Sequence, residues 1–149
     1  YQGQVINEGE VAHAITRHDS TDGSCQTCNL TVGNATADDT QTTLFTNNAT
    51  SLPNLPANSA WGFNAVVTGL KTDGSAMGVY ELVGAIRRDG AAAATFGSVT
   101  QRVIHEDVGA WDATADASGN GLRIRVTGAA GTDINWTAAI RVAQVIVES

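Results

Sequence analysis

The segment INWTAAIRV, residues 134–142, places Ile134, Trp136, Ala138, Ile140 and Val142 at every second position. A strict period of two is the mark of a strand with one face buried and the other turned outward. Just upstream, Leu122, Ile124 and Val126 alternate with Arg123, Arg125 and Thr127, and residues 128–133 turn the chain between the two runs. Before them, residues 111–117 lead into Ser118-Gly119-Asn120-Gly121, a strong hairpin signal because glycine and asparagine tolerate the backbone angles of tight turns.

The pattern continues toward the N-terminus. Val99, Val103 and His105 alternate with Arg102, Ile104 and Glu106. Residues 78–88 put Tyr80, Leu82 and Ile86 on one face and end at Asp89-Gly90, while Trp61, Phe63, Ala65 and Val67 define another strand that closes at the turn Lys71-Thr72-Asp73-Gly74. These last two runs are expected to pair antiparallel. Residues 47–60 read as a surface loop, since Pro53 and Pro56 lack backbone donors. Earlier strands are expected over 9–18, from Cys25 through 29–32, and over 40–46, with turns at 19–24 and 33–39. Only 90–96 carries a hint of helical periodicity. Nine or so strands with frequent turns predict an all-β fold, a single antiparallel β-sandwich of jelly-roll type with little helix.

Composition bounds the rest. The chain has 149 residues, 42% of them hydrophobic and 15% charged, which suits one domain: a flexible leader over 1–8 and a sandwich over 9–149. Eight basic against 15 acidic residues give a net charge of −7, which argues against nucleic acid as a partner. No apolar run approaches the roughly 18–20 residues that span a bilayer, so a soluble protein without a membrane partner is expected. The chain starts at Tyr1 and shows no signal-peptide pattern, which is expected of a processed product or of one module of a longer polypeptide.

The order of several pieces resembles a β-domain recurring in tail-fibre and other virion structural proteins of tailed bacteriophages. Residues 55–67 (LPANSAWGFNAVV), 79–90 (VYELVGAIRRDG) and 98–128 carry the resemblance most strongly; it spans 9–145, more loosely over the first 50 residues. The resemblance implies a non-enzymatic structural protein on the virion exterior, assembling as a homo-oligomer, commonly a trimer, with other tail or capsid proteins as partners. A capsid decoration protein that stabilises the head is the alternative, and a carbohydrate-binding adhesin a third. No catalytic residue or cofactor comes with it.

Physical reading of the residues adds candidates. Cys25-Gln26-Thr27-Cys28 has the spacing of a redox or metal pair. Three readings stand: a zinc site with His13 and His18, a disulfide within a turn, or two unpaired thiols. On a strand, residues three apart point to opposite faces, which opposes a redox or zinc pair, and a disulfide between Cys25 and Cys28 within a turn stays open. Asp116, Ser118 and Asn120 imitate the start of an EF-hand loop, but Thr127 stands where a bidentate Glu is required, so a structural hairpin is the reading kept and no metal is expected. His105, Glu106 and Asp107, with Asp89, Asp112 and Asp116, supply acid–base groups without a catalytic motif, and no enzyme activity is expected. Asn29, Asn34, Asn48 and Asn135 satisfy the N-glycosylation sequon, a frequent coincidence in a Thr-rich chain, and on the phage resemblance they are unmodified. Trp61 and Trp136 share the apolar parity of their strands and belong to the core. Trp111 follows a Gly-Ala turn and is expected to be an exposed contact, open to a host surface glycan. The odd face of the 79–85 run, with Val79, Val83 and Ala85 around a single Glu81, is the expected oligomer face.

Overall fold

A computed structural model describes residues 7, 9–16, 25–47 and 50–147 of the chain, the side chains of 12–16 excepted. The chain forms β1 (Val11–Thr16), β2 (Cys25–Thr36), β3 (Thr42–Thr43), β4 (Ser59–Lys71), β5 (Met77–Arg88), β6 (Thr95–Glu106), β7 (Asp112–Ser118), β8 (Gly121–Thr127) and β9 (Ile134–Ile146). No helix occurs among the described residues. A six-stranded sheet in the order β1-β2-β9-β4-β5-β6 packs on a three-stranded sheet in the order β3-β8-β7, and every pairing is antiparallel. The fold is an antiparallel β-sandwich.

The period-two runs build its core. From the large sheet, Trp61, Phe63, Ala65 and Val67 of β4, Tyr80, Leu82 and Ile86 of β5, and Trp136, Ala138, Ile140 and Val142 of β9 point inward and are buried. The small sheet answers with Ala113, Ala115, Leu122, Ile124 and Val126. Two of the three buried indoles find partners inside: Trp61 Nε1 donates to Gln144 Oε1 at 2.8 Å and Trp136 Nε1 to Thr36 Oγ1 at 3.0 Å, while Trp111 Nε1 has none among the described residues. Trp136 stacks edge-on against Trp111 with ring centroids 5.6 Å apart. Its other side lies over Gly69, where an added Cβ would come within 2.5 Å of the ring. The glycine near the C-terminal end of β4 is therefore a packing requirement of the indole opposite it.

Several expectations are corrected. β2 runs on to Thr36 instead of breaking at residue 33, because all twelve of its residues pair with β9 and the neighbour holds the polar end extended. The strand expected over 40–46 shrinks to two paired residues plus a bridge from Phe45 to Gly33. The helical hint at 90–96 is absent: a turn closes with Ala92 N–H on Asp89 O, and β6 begins at Thr95. Of the expected leader, Asn7 is described and buried, its Oδ1 accepting from Asn54 N–H; residues 1–6 and 8 lie outside the described residues.

Candidate functional site

Sequence-nominated polar groups serve the fold. Cys28 points into the core and Cys25 to the other face of β2, so the two are free thiols and the turn disulfide is not formed. Burial, then a hydrogen bond with Glu10, pushes the Cys28 thiol up to about 12, which holds it in the unreactive protonated form. Of the zinc partners expected from sequence, the His13 side chain and all of His18 lie outside the described residues. Asp116 faces Arg123 and Arg125 across the β7–β8 hairpin, its carboxylate accepting from Arg123 Nη2 at 2.7 Å and Arg125 Nη2 at 2.9 Å. The Arg123 bond, with the charge of both guanidinium groups, holds Asp116 below the usual carboxylate range. The turn at residue 119 uses a left-handed glycine, φ 55°.

The acid–base candidates are likewise occupied in a β6–β7 turn. Asp107 Oδ1 pairs with His105 Nε2 at 2.9 Å, and its Oδ2 accepts from Met77 N–H at 2.9 Å. The Met77 amide, then His105, lowers the Asp107 carboxyl. Glu106 Oε2 accepts from Tyr80 O–H at 2.9 Å; burial first, then this carboxylate, pushes the phenol up and keeps it protonated. Asp112 accepts from Gln101. Asp89 stands at the opposite end of β5 from this group, so these acids do not converge.

Trp111 is the clearest correction. It is 2% exposed and packed on Trp136, because the turn after β6 folds back over the end of the core and Gly78 leaves room for it beside Tyr80. Among the described residues no tryptophan or tyrosine is exposed, so the flat aromatic platform expected of a sugar-gripping surface is not presented.

What the structure does present is the outer face of the six-stranded sheet. Val79, Val83 and Ala85 lie on it as their parity requires, with Val83 44% exposed. The register extends the face well beyond β5. Val83 sits beside Asn64 of β4 on one side and Thr100 of β6 on the other, and Asn64 beside Arg141 of β9, which in turn neighbours Asn29 of β2. One row along, Glu81, Val66, Ala139 and Thr31 are aligned in the same way. Val66 and Val145 are 41% and 45% exposed, and Leu70 and Met77 stand exposed at the β4–β5 turn. Five strands spaced about 4.8 Å apart and roughly ten residues long give about 800 Å² of surface. It carries short, mostly uncharged side chains over its middle, and two shallow hollows flank Arg141 along the strand direction. The β4 and β9 shares of this face were missed from sequence because their outward positions become neighbours only through pairing of strands far apart in the chain.

No protein-family model and no curated protein sequence matches the chain. Among solved structures it is similar to the tailspike protein gp49 of Acinetobacter baumannii bacteriophage Fri1, a capsular polysaccharide depolymerase, at 11% sequence identity and a TM-score of 0.42. That match covers 79% of this chain, which spans 18% of the tailspike's length.

Proposed function

We propose that the chain is a non-enzymatic structural domain of a tailed-bacteriophage virion, exposed on the particle surface and self-associating as a homo-oligomer, a trimer in its tail-fibre form. The observation that carries self-association is the outer face of the large sheet. It is low in charge over its middle, its extent is comparable to the roughly 800 Å² that each partner contributes to a standard protein interface, and it leaves large aliphatic side chains in water. The residue patterns at 55–67, 79–90 and 98–128 support the phage assignment. The engagement of His105, Glu106, Asp107 and Asp116 in structural hydrogen bonds supports a role without catalysis.

The test has two arms. Solution mass is expected to be a multiple of the 15.4 kDa chain and to fall to the single-chain value in Val83→Asp, with the variant still unfolding cooperatively. A wild-type chain of single mass removes self-association. Quantitative mass spectrometry of purified particles then gives the copy number: a few to a few dozen fits a tail fibre, hundreds a head decoration protein, and absence overturns both virion roles. Release of fragments from a host-surface polysaccharide would overturn the non-enzymatic reading.

A further inference from the structure

We infer that Arg141 pairs with Glu81 of the partner subunit, so that the outer face is closed by a second copy of this chain. The inference rests on the self-association proposed above and names its contact.

Charge over the middle of the face is sparse. β9 supplies Arg141, β5 supplies Glu81 and β6 supplies Arg102. Arg102 Nη2 lies 3.1 Å from Glu81 Oε1, whereas Arg141 has no hydrogen bond or ion pair among the described residues. Covering an unpaired guanidinium with an apolar surface is strongly unfavourable, so the occupant must bring an acceptor to that place. The chain's own face brings one. Arg141 lies beside Asn64 and Glu81 beside Val66, on opposite sides of β4, so the half of one copy that bears Arg141 meets the half of the next that bears Glu81. The same contact repeats at every interface, whether two copies close it or a ring does.

Glu81 has the capacity. Arg102 engages Oε1, and Oε2 is open on the face. A carboxylate between two guanidinium groups already exists in this molecule, where Asp116 accepts from Arg123 and Arg125 on the opposite surface of the sandwich. Shape agrees with charge: Arg141 rises between a hollow beside Thr31 and Val66 and another beside Gly62 and Ala143, so a long side chain from the neighbour has room next to it.

Cross-linking tests the contact. Arg141→Cys and Glu81→Cys are introduced together in a Cys25→Ser background and oxidised. The two positions are separated by β4, about 10 Å in one chain at the spacing of strands, beyond the roughly 7 Å that a disulfide tolerates, so a bond between them joins different copies. Covalently linked dimers or trimers on a non-reducing gel are the expected result. An oligomer of wild-type mass that stays unlinked overturns the contact while leaving self-association intact, and a wild-type chain of single mass removes both. As a second measurement, Arg141→Glu is expected to weaken association at least tenfold while the chain still folds cooperatively; unchanged association overturns the inference.

Discussion

The outward faces of the two sheets obey one geometric rule and end in opposite chemistry. On the small sheet, the positions that parity turns outward are Asp112, Thr114 and Asp116 of β7 with Arg123 and Arg125 of β8; Asp116 pairs with both arginines across the hairpin, and Asp112 accepts from Gln101. On the large sheet they are mostly valine, alanine, threonine and asparagine; Glu81 pairs with Arg102, while Arg87 and Arg141 have no partner among the described residues. A surface that satisfies itself is finished by folding. Under the proposed self-association, a surface that leaves aliphatic groups in water and a guanidinium unpaired is finished by a second copy of the chain.

The largest effect is expected beneath both surfaces. Trp136→Ala removes the ring that fills the gap over Gly69 and contacts Trp111, and is expected to lower stability by about 3–5 kcal/mol, measured by urea unfolding. A loss below about 1 kcal/mol would mean that the core does not depend on this ring. Next comes the comparison itself. Val66→Asp on the large sheet is expected to reduce solution mass to one chain, while Thr114→Asp on the small sheet leaves the mass unchanged. Equal loss in both variants would break the distinction between the faces.

A smaller effect is expected from the charge network. Asp116→Asn should cost roughly 1 kcal/mol, because the pair is partly exposed and screened by solvent. Its pH dependence follows from the lowered carboxyl. The contribution is present above the unfolded value near pH 4 and fades as pH falls through the lower folded value, so wild type and variant converge in acid. A difference that persists at pH 2 would assign the effect to packing instead of charge. The smallest effect concerns the thiols: brief alkylation of the native protein at pH 8 is expected to label Cys25 ahead of Cys28, read by peptide mass.

Much of the sandwich was legible in the sequence because alternation is a local signal. Residues 134–142, 122–126 and 61–67 announced their buried faces, and Trp61 and Trp136 fell where parity put them. Trp111 was misread because it belongs to a turn, where parity has no meaning and only the fold decides whether a ring lies in or out. Residues 33–36 look like a turn in isolation and are a strand only because β9 lies beside them. The outer face of the large sheet was half legible for the same reason. Val79, Val83 and Ala85 share a strand, whereas Arg141 and Asn64 become neighbours through a pairing that spans most of the chain.

That pairing also fixes an order of events during synthesis. β9 lies between β2 and β4, so each of those strands exposes an unpaired edge until residues 134–146 have left the ribosome. The β4–β5–β6 meander can form early from near neighbours, while the β1–β2 hairpin waits beside it with nothing to join the two. The nascent chain therefore carries two open sheet edges for most of its translation, the condition in which strands of neighbouring chains pair wrongly. Arrival of a single central strand ends that exposure on both sides at once.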